Sequence, residues 1–129
     1  MYVNYNPNPY GRMVDDCAVR ALTLALNMDW NDVHKLLSDT ARKMGDMPHA
    51  DSVWGAVLGQ CGFRRLNIPN TCPSCYTVGQ FAYDHPSGLY VLGLSGHVTT
   101  VIDGNVYDTW DTSNNIPVYF WYWYGNNEN

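Results

Sequence analysis

Cys17 is the residue of this sequence best suited to act as a nucleophile. It follows Asp15 and Asp16 and opens the run CAVRALTLAL. Aspartates in this position accept hydrogen bonds from the free amides of a first helical turn, so the pattern predicts a helix that begins at Asp15 or Asp16 and ends near Asn27. The N-terminus of a helix favours the thiolate, which is the reactive form of cysteine. A small buried residue beside alanines is the alternative interpretation.

Two β-branched segments later in the chain predict a β-hairpin. They are HVTTVI, which begins at His97, and NVYDTW, which begins at Asn105, with Asp103-Gly104 between them. Asp-Gly supplies two residues that accept a positive φ, as a two-residue hairpin turn requires. With this pair in the turn, Ile102 pairs with Asn105 across the hairpin.

The hairpin brings a histidine and a carboxylate to the same face. Side chains alternate along a strand, so His97 and Asp108 share a face, and a turn shifted by one residue preserves this parity. Asp111 lies on the opposite face in both registers, unless a β-bulge exchanges the two acids. A carboxylate that binds one imidazole nitrogen leaves the other nitrogen to face a thiol. We therefore predict Cys17 as the nucleophile, His97 as the general base and Asp108 as the group that orients the histidine.

Helices are predicted in the first half of the chain and strands in the second half. Further helices are predicted near residues 29–45, 52–60 and 77–85, the last of them opened by a Thr-Gln capping box. Strands are predicted in FRRLNI, GLYVLGL, HVTTVI, NVYDTW and PVYFWYWY. This order predicts an α+β fold, a single domain of residues 1–129 whose N-terminal helices pack on an antiparallel sheet of four to six strands. Residues 1–12 are predicted to form an extended arm and residues 125–129 a mobile tail.

The charge of the chain argues against two classes of partner. Seven basic residues against twelve acidic residues give a net charge of −5, and the basic residues are scattered. Such a chain lacks the positive surface that nucleic acids or anionic membranes attract. No apolar run approaches the length of a membrane span and the first residues do not resemble a signal peptide, so we expect a cytoplasmic protein.

The other three cysteines indicate neither a disulfide nor a metal site. Cytoplasmic thiols stay reduced, so Cys72 and Cys75 of the CPSC segment are expected to be free. A structural zinc site needs four ligands, and His85 or Cys61 would have to complete the CPSC pair. Cys61, in VLGQCGF, is expected to be a small buried residue. We predict no metal and no cofactor.

Several motifs resemble the papain-like cysteine peptidase superfamily. The order of a cysteine on a leading helix, a histidine on a strand and an aspartate on the next strand is similar to that of papain-like enzymes. A narrower resemblance, to small C39-like and uncharacterised phage and bacterial cysteine peptidase-like proteins, covers about residues 3–123. Its motifs are Asn8-Pro9-Tyr10-Gly11-Arg12, Asp16-Cys17-Ala18-Val19-Arg20-Ala21, Gly96-His97-Val98 and Tyr107-Asp108-Thr109-Trp110-Asp111.

The resemblance implies a hydrolase that cleaves an amide of a peptide or protein substrate, peptide or isopeptide, through a thioester on Cys17. Papain-like enzymes generally place a Gln or Asn several residues before the cysteine to donate to the oxyanion, and residues 11–13 of this chain offer neither. The Cys17 amide can donate one hydrogen bond at the helix end, and Arg12, Asn8 or Asn6 is the candidate for the other.

Two questions stay open at this stage. Arg20, one helical turn beyond Cys17, either binds substrate on the same face or forms a salt bridge with Asp16 or with an acid in a loop. The same triad also fits an amidase or transglutaminase-like acyl transferase, and the fold also fits a catalytically weak or inactive module that binds or inhibits a partner. A zinc-binding protein ranks behind these alternatives.

Overall fold

The chain folds as a mixed α+β structure. A computed structural model describes residues 1–125, and residues 126–129, which hold most of the predicted mobile tail, lie outside the described residues. Its elements are, in chain order, β1 (Tyr2–Asn4), α1 (Cys17–Leu26), α2 (Trp30–Met44), α3 (Asp51–Gln60), β2 (Phe63–Asn67), α4 (Val78–Asp84), β3 (Leu89–Leu94), β4 (His97–Ile102), β5 (Asn105–Asp108) and β6 (Pro117–Trp123). The predicted α+β class is thus confirmed.

The predicted helices are present, but the first two are capped differently from the prediction. α1 begins at Cys17, and the side chain of Asp16 makes no capping hydrogen bond to it. The side chain of Asp29 likewise does not cap α2. The C-terminal cap of α2 is Gly45, as predicted, with a φ of 70°. The capping role predicted for Asp16 is wrong because its carboxylate binds the side chains of other residues. The capping box predicted for α4 is present.

The sheet is mixed and not wholly antiparallel. Its strand order is β1-β5-β4-β3-β6-β2, and β1 runs parallel to β5, with Tyr2 opposite Val106 and Asn4 opposite Asp108. The other pairs of neighbouring strands are antiparallel. This corrects the prediction for the extended arm, whose residues 2–4 are a strand. The cause is the open edge of β5, whose unpaired backbone groups form hydrogen bonds with any adjacent extended segment.

The turn between β4 and β5 has the predicted register. Ile102 pairs with Asn105, and the turn residues Asp103 and Gly104 have φ angles of 49° and 80°. β4 therefore begins at the same end of the sheet where β5 ends. α1 packs against β4, and this end of the sheet carries the predicted site.

Two apolar clusters cover the two faces of the sheet. The larger joins α1, α2 and α3 to the sheet through residues such as Val91, and the smaller joins α4 to it through residues such as Leu92. Val91 and Leu92 are neighbours in β3, so their side chains point to opposite faces. No helix within residues 1–125 combines the length and apolar character that crossing a membrane requires.

The cysteines of the CPSC segment form a disulfide, contrary to the prediction that they are free thiols. Cys72 and Cys75 are bonded and their Cα atoms lie 4.1 Å apart. The loop curls around Thr71, whose hydroxyl donates to the Ser74 carbonyl at 2.7 Å and accepts from the Tyr76 amide at 3.1 Å. This curl brings the two cysteines within bonding distance. Cys61 is a free thiol, half-buried against the larger cluster.

Gly93 of β3 is expected to be essential for packing, because the ring of Tyr119 lies directly over it. A Cβ at position 93 would lie 2.3 Å from that ring, and the ring is held by a 3.0 Å hydrogen bond from its hydroxyl to Asp51. We expect Gly93→Ala to lower the free energy of unfolding by about 1–3 kcal/mol, measured by urea denaturation. Gly59→Ala in α3 is the matched control, because a Cβ at this position would make only an ordinary contact at 3.9 Å. This substitution should stabilise the helix by up to about 1 kcal/mol. Equal effects of the two substitutions would contradict this account.

Candidate active site

Cys17 and His97 face a common cleft at the end of the sheet. Cys17 is the first residue of α1 and His97 the first residue of β4. Both line a cavity of about 920 Å³, whose other walls come from the residues before α1, the start of α3 and the residues after β5. This volume lies within the range of ligand-binding clefts.

The thiol of Cys17 is activated by its surroundings. Burial raises the pKa of the thiol, but hydrogen bonds from His97 and from the Val98 amide bring the pKa below its ordinary value. The first hydrogen bond of the helical ladder runs from the Arg20 amide to the Asp16 carbonyl at 2.7 Å. The Cys17 amide precedes this bond and is therefore outside the ladder, free to donate to a bound group.

His97 is held between a carboxylate and the thiol. Its Nε2 lies 2.8 Å from Oδ2 of Asp108, and its ring lies 5.3 Å from the ring of Trp110. Burial lowers the pKa of His97, but the hydrogen bonds with Asp108 and Cys17 outweigh burial and raise the pKa to about 9. The raised pKa of His97 and the lowered pKa of Cys17 both favour the thiolate–imidazolium form of the pair over its neutral form.

The carboxylate of Asp108 is buried and fully engaged. The residue is 1% exposed. Its Oδ2 binds His97, and its Oδ1 accepts from Nη2 of Arg20 at 3.0 Å and from the Thr109 amide at 2.8 Å. Burial raises the pKa of Asp108, but hydrogen bonds from His97 and Thr99 bring it below its usual value. The carboxylate is therefore ionised at neutral pH.

Asp111, the competing acid, lies apart from the histidine. Its Oδ1 accepts from the amide and hydroxyl of Ser113 at 3.0 and 2.6 Å, in an exposed turn. His97 is thus paired with Asp108 and not with Asp111, as the parity of the two strands predicts. The catalytic roles of Cys17, His97 and Asp108 stay predictions.

Arg20 lines the cleft but is almost wholly buried, and its guanidinium is bound to carboxylates of the chain. It is 5% exposed and forms ion pairs with both Asp16 and Asp108. The salt bridge to Asp16 is the second of the two roles considered for Arg20 from the sequence. The structure adds the bond to Asp108, which lies 88 positions away in the chain.

The other two candidates for oxyanion or substrate binding are not brought to Cys17. Oδ1 of Asn8 accepts from the amides of Tyr10 and Arg12 at 2.9 and 3.2 Å, and Nδ2 of Asn6 donates to the Arg12 carbonyl at 3.3 Å. These bonds shape a turn in the segment before α1. Neither Asn8 nor Arg12 is among the residues that line the cleft.

Two residues near the triad, Trp30 and Trp110, were not recognised from the sequence. Nε1 of Trp30 donates to Oδ2 of Asp16 at 2.8 Å, and Trp110 covers the ring of His97. The hairpin register contained a signal for Trp110, because it places residue 110 opposite residue 97. No comparable signal linked Trp30 to Asp16, since the two lie on different helical segments.

No group of three or more potential metal ligands is present within residues 1–125. No protein-family model, curated protein or solved structure matches the chain. The geometry of the cleft and the chemistry of its residues are therefore the basis for a proposed function.

The two acids of the hairpin should differ sharply in their effect on the thiol. Asp108→Asn removes the negative charge that favours the imidazolium, so we expect alkylation of Cys17 by iodoacetamide at pH 7 to slow by about tenfold or more. Asp111→Asn is the matched control and should alkylate at the wild-type rate. Intact-mass spectrometry over time measures both rates, and a larger effect of Asp111→Asn would refute the assignment of the acids.

Proposed function

We propose that this chain is a papain-like cysteine hydrolase that cleaves a peptide or isopeptide amide, with Cys17 as nucleophile, His97 as acid–base group and Asp108 as orienting group. One observation carries the proposal. Nε2 of His97 is bound to the buried Asp108, so Nδ1 is the nitrogen left for the thiol of Cys17. A thiol, an imidazole and a carboxylate in this order are the parts of a nucleophilic triad.

The proposed reaction needs only these groups and water. The thiolate of Cys17 attacks the carbonyl carbon of the amide, and the C–N bond breaks as the imidazolium of His97 gives its proton to the leaving amine. The result is a thioester on Cys17 and a neutral imidazole. A water molecule then gives a proton to His97 and attacks the thioester, which releases the carboxylic acid and restores the thiolate–imidazolium pair.

The oxyanion of the tetrahedral intermediate is proposed to bind at the N-terminus of α1. The Cys17 amide is outside the helical ladder and lies at the positive end of the helix dipole. A backbone donor in this place stabilises negative charge as it develops on the carbonyl oxygen. In this proposal α1 supplies both the nucleophile and its oxyanion donor.

The order of the three residues supports the family part of the proposal. Cysteine at the start of a helix packed on the sheet, histidine on a strand and aspartate on the neighbouring strand are arranged as in papain-like enzymes. We propose a peptide or protein as the substrate and the cytoplasm as the location. The Cys72–Cys75 bond, which lies in an exposed loop, instead favours an oxidising compartment, because cytoplasmic thiols stay reduced.

A second candidate function is a papain-fold module that binds or inhibits a partner. One observation favours it: the cleft-lining residues within 1–125 include no Asn or Gln side chain that could complete an oxyanion site. Transfer of the acyl group to an amine, as in a transglutaminase-like enzyme, uses the same thioester. Product masses with and without an added primary amine distinguish hydrolysis from transfer.

The enzyme proposal predicts selective labelling of Cys17. A peptide vinyl sulfone should modify Cys17 well before the half-buried Cys61, because only Cys17 is paired with an imidazolium. His97→Ala should abolish this selectivity, and Cys17→Ser should abolish turnover of a fluorogenic peptide library. The site of modification is read by peptide mass spectrometry. Equal labelling of Cys17 and Cys61 would favour the binding module.

The enzyme proposal also predicts a bell-shaped pH dependence of amide hydrolysis. The rate should rise as Cys17 loses its proton, at a pH below the value of about 8.5 typical of a free thiol. It should fall as the pH passes about 9, because His97 then lacks the proton that the leaving amine requires. Alkylation by iodoacetamide needs only the thiolate, so it should share the acid limb and not decline above pH 9. An acid limb at the ordinary thiol value would contradict the proposed pair.

A further inference from the structure

A chain of buried polar groups continues inward from the triad. From His97 it passes through Asp108 and Arg20 to Asp16, and it ends at the indole of Trp30. Asp108, Arg20 and Asp16 are 1%, 5% and 6% exposed, respectively. The formal charges alternate along this chain, from the imidazolium of His97 to the carboxylate of Asp16.

The geometry of Arg20 commits its guanidinium to two carboxylates. Nη1 binds Oδ1 of Asp16, and Nη2 binds Oδ1 of Asp108 at 3.0 Å. Arg20 lies on α1, which also carries Cys17, and Asp108 lies at the end of β5. The ion pair between Arg20 and Asp108 therefore ties the element of the nucleophile to the residue that orients the base.

The two oxygens of the Asp108 carboxylate have different partners, and this shows the effect of the ion pair with Arg20. Oδ1 is held by Arg20 and by the Thr109 amide, which leaves Oδ2 to face Nε2 of His97. Without Arg20 the carboxylate would lose its charged partner on Oδ1 and could rotate about its Cβ–Cγ bond. Arg20 thus defines the direction from which His97 meets the acid.

The negative charge of Asp16 compensates the positive charge that Arg20 brings close to Asp108. An arginine beside Asp108 would, alone, offset the negative charge that His97 needs. Asp16 binds the other side of the guanidinium and compensates that charge, so Asp108 acts on His97 as an anion. The bond from Trp30 to Asp16 fixes this second carboxylate.

We propose that Asp16 and Arg20 are positioning residues of the site: Arg20 orients Asp108 toward His97, and Asp16 offsets the charge of Arg20. The inference rests on the proposed function only in that the Cys17–His97 pair reacts. The Asp16–Arg20 pair, in this proposal, determines the pH range in which Cys17 is a thiolate and His97 is an imidazolium.

Two single substitutions test the charge balance, because they should move the acid limb in opposite directions. Asp16→Asn removes a negative charge and disfavours protons on Cys17 and His97, so both limbs should move to lower pH. Arg20→Gln removes a positive charge and the orientation of Asp108, and both changes disfavour the thiolate, so the acid limb should move to higher pH. We expect each shift to be about half a pH unit or more. Iodoacetamide alkylation against pH gives the acid limb, and NMR titration of the His97 imidazole gives the alkaline limb.

Both measurements work without a substrate, which separates this inference from the proposed function. Opposite shifts of the acid limb in a protein that hydrolyses no amide would support the positioning pair and refute the hydrolase. Shifts of this limb in the same direction, or no shift, would overturn the positioning pair whatever the hydrolytic activity. Loss of a merely structural ion pair would lower stability in both variants and would not shift the acid limb in opposite directions.

The double variant Asp16→Asn/Arg20→Gln covers the case in which a single variant does not fold. It replaces the ion pair by two neutral amides and keeps the net charge, so the lost orientation of Asp108 toward His97 is the main remaining effect. This loss should move the acid limb to higher pH and the alkaline limb to lower pH. We expect alkylation of Cys17 at pH 6 to slow by at least about tenfold. A wild-type rate in the folded double variant would overturn the proposal.

Asp39→Asn is the matched control for a carboxylate in a helical ion pair. Asp39 pairs with Lys35 four positions earlier in α2, as Asp16 pairs with Arg20 four positions later, but the Lys35–Asp39 pair is exposed. Its loss should move neither limb. Asp15, His49 and Asp51 also line the cleft and are exposed; they are unchanged in every variant, so their charges contribute equally to all the profiles.

Discussion

The carboxylate of Asp108 is the constraint on which the site depends. A buried carboxylate is costly unless hydrogen bonds and opposite charge compensate it. Here the compensation comes from three different places: the imidazole of His97 on β4, the guanidinium of Arg20 on α1 and the amide of Thr109 just after β5. The hydrogen bonds to this one buried charge therefore tie α1 to β4 and to the end of β5.

A two-residue turn makes this arrangement possible. Asp103 and Gly104 both adopt positive φ angles, and the register that follows places His97 and Asp108 on one face. A slip by one residue would turn every side chain of β5 to the opposite face. β1 also holds the register from the other side of β5, because all of β1 pairs with the last three residues of β5. The position of the acid is thus defined by both neighbours of a four-residue strand.

The parts of the structure that the sequence predicted are those with a local or periodic cause. The start of α1, the capping box of α4 and the hairpin each depend on residues a few positions apart, and strand parity was enough to separate Asp108 from Asp111. The bond between Arg20 and Asp108 spans 88 positions, and no spacing rule connects a helix to the end of a distant strand. The pairing of β1 with β5 is equally non-local.

Two predictions failed because a local preference had a competitor. Asp16 has the side chain and position of a helix cap, but Arg20 and Trp30 offer its carboxylate a buried charge and an indole donor instead. The CPSC cysteines were assigned to free thiols from the expected compartment, and the curl of their loop around Thr71 decided otherwise. In both cases a competing partner a few positions away in the chain, Arg20 for Asp16 and Cys75 for Cys72, contributed to the outcome.

The place of β6 in the sheet has a consequence for synthesis of the chain. Among the strands of residues 1–125, β6 is the last in the chain, lies between β3 and β2 and is the only neighbour of β2. A chain emerging from the ribosome N-terminus first carries residues 63–67 with none of these strands to pair with until residues 117–123 have left the exit tunnel. Cys17 is likewise made long before His97, so the pKa of its thiol is lowered only after most of the chain has been synthesised.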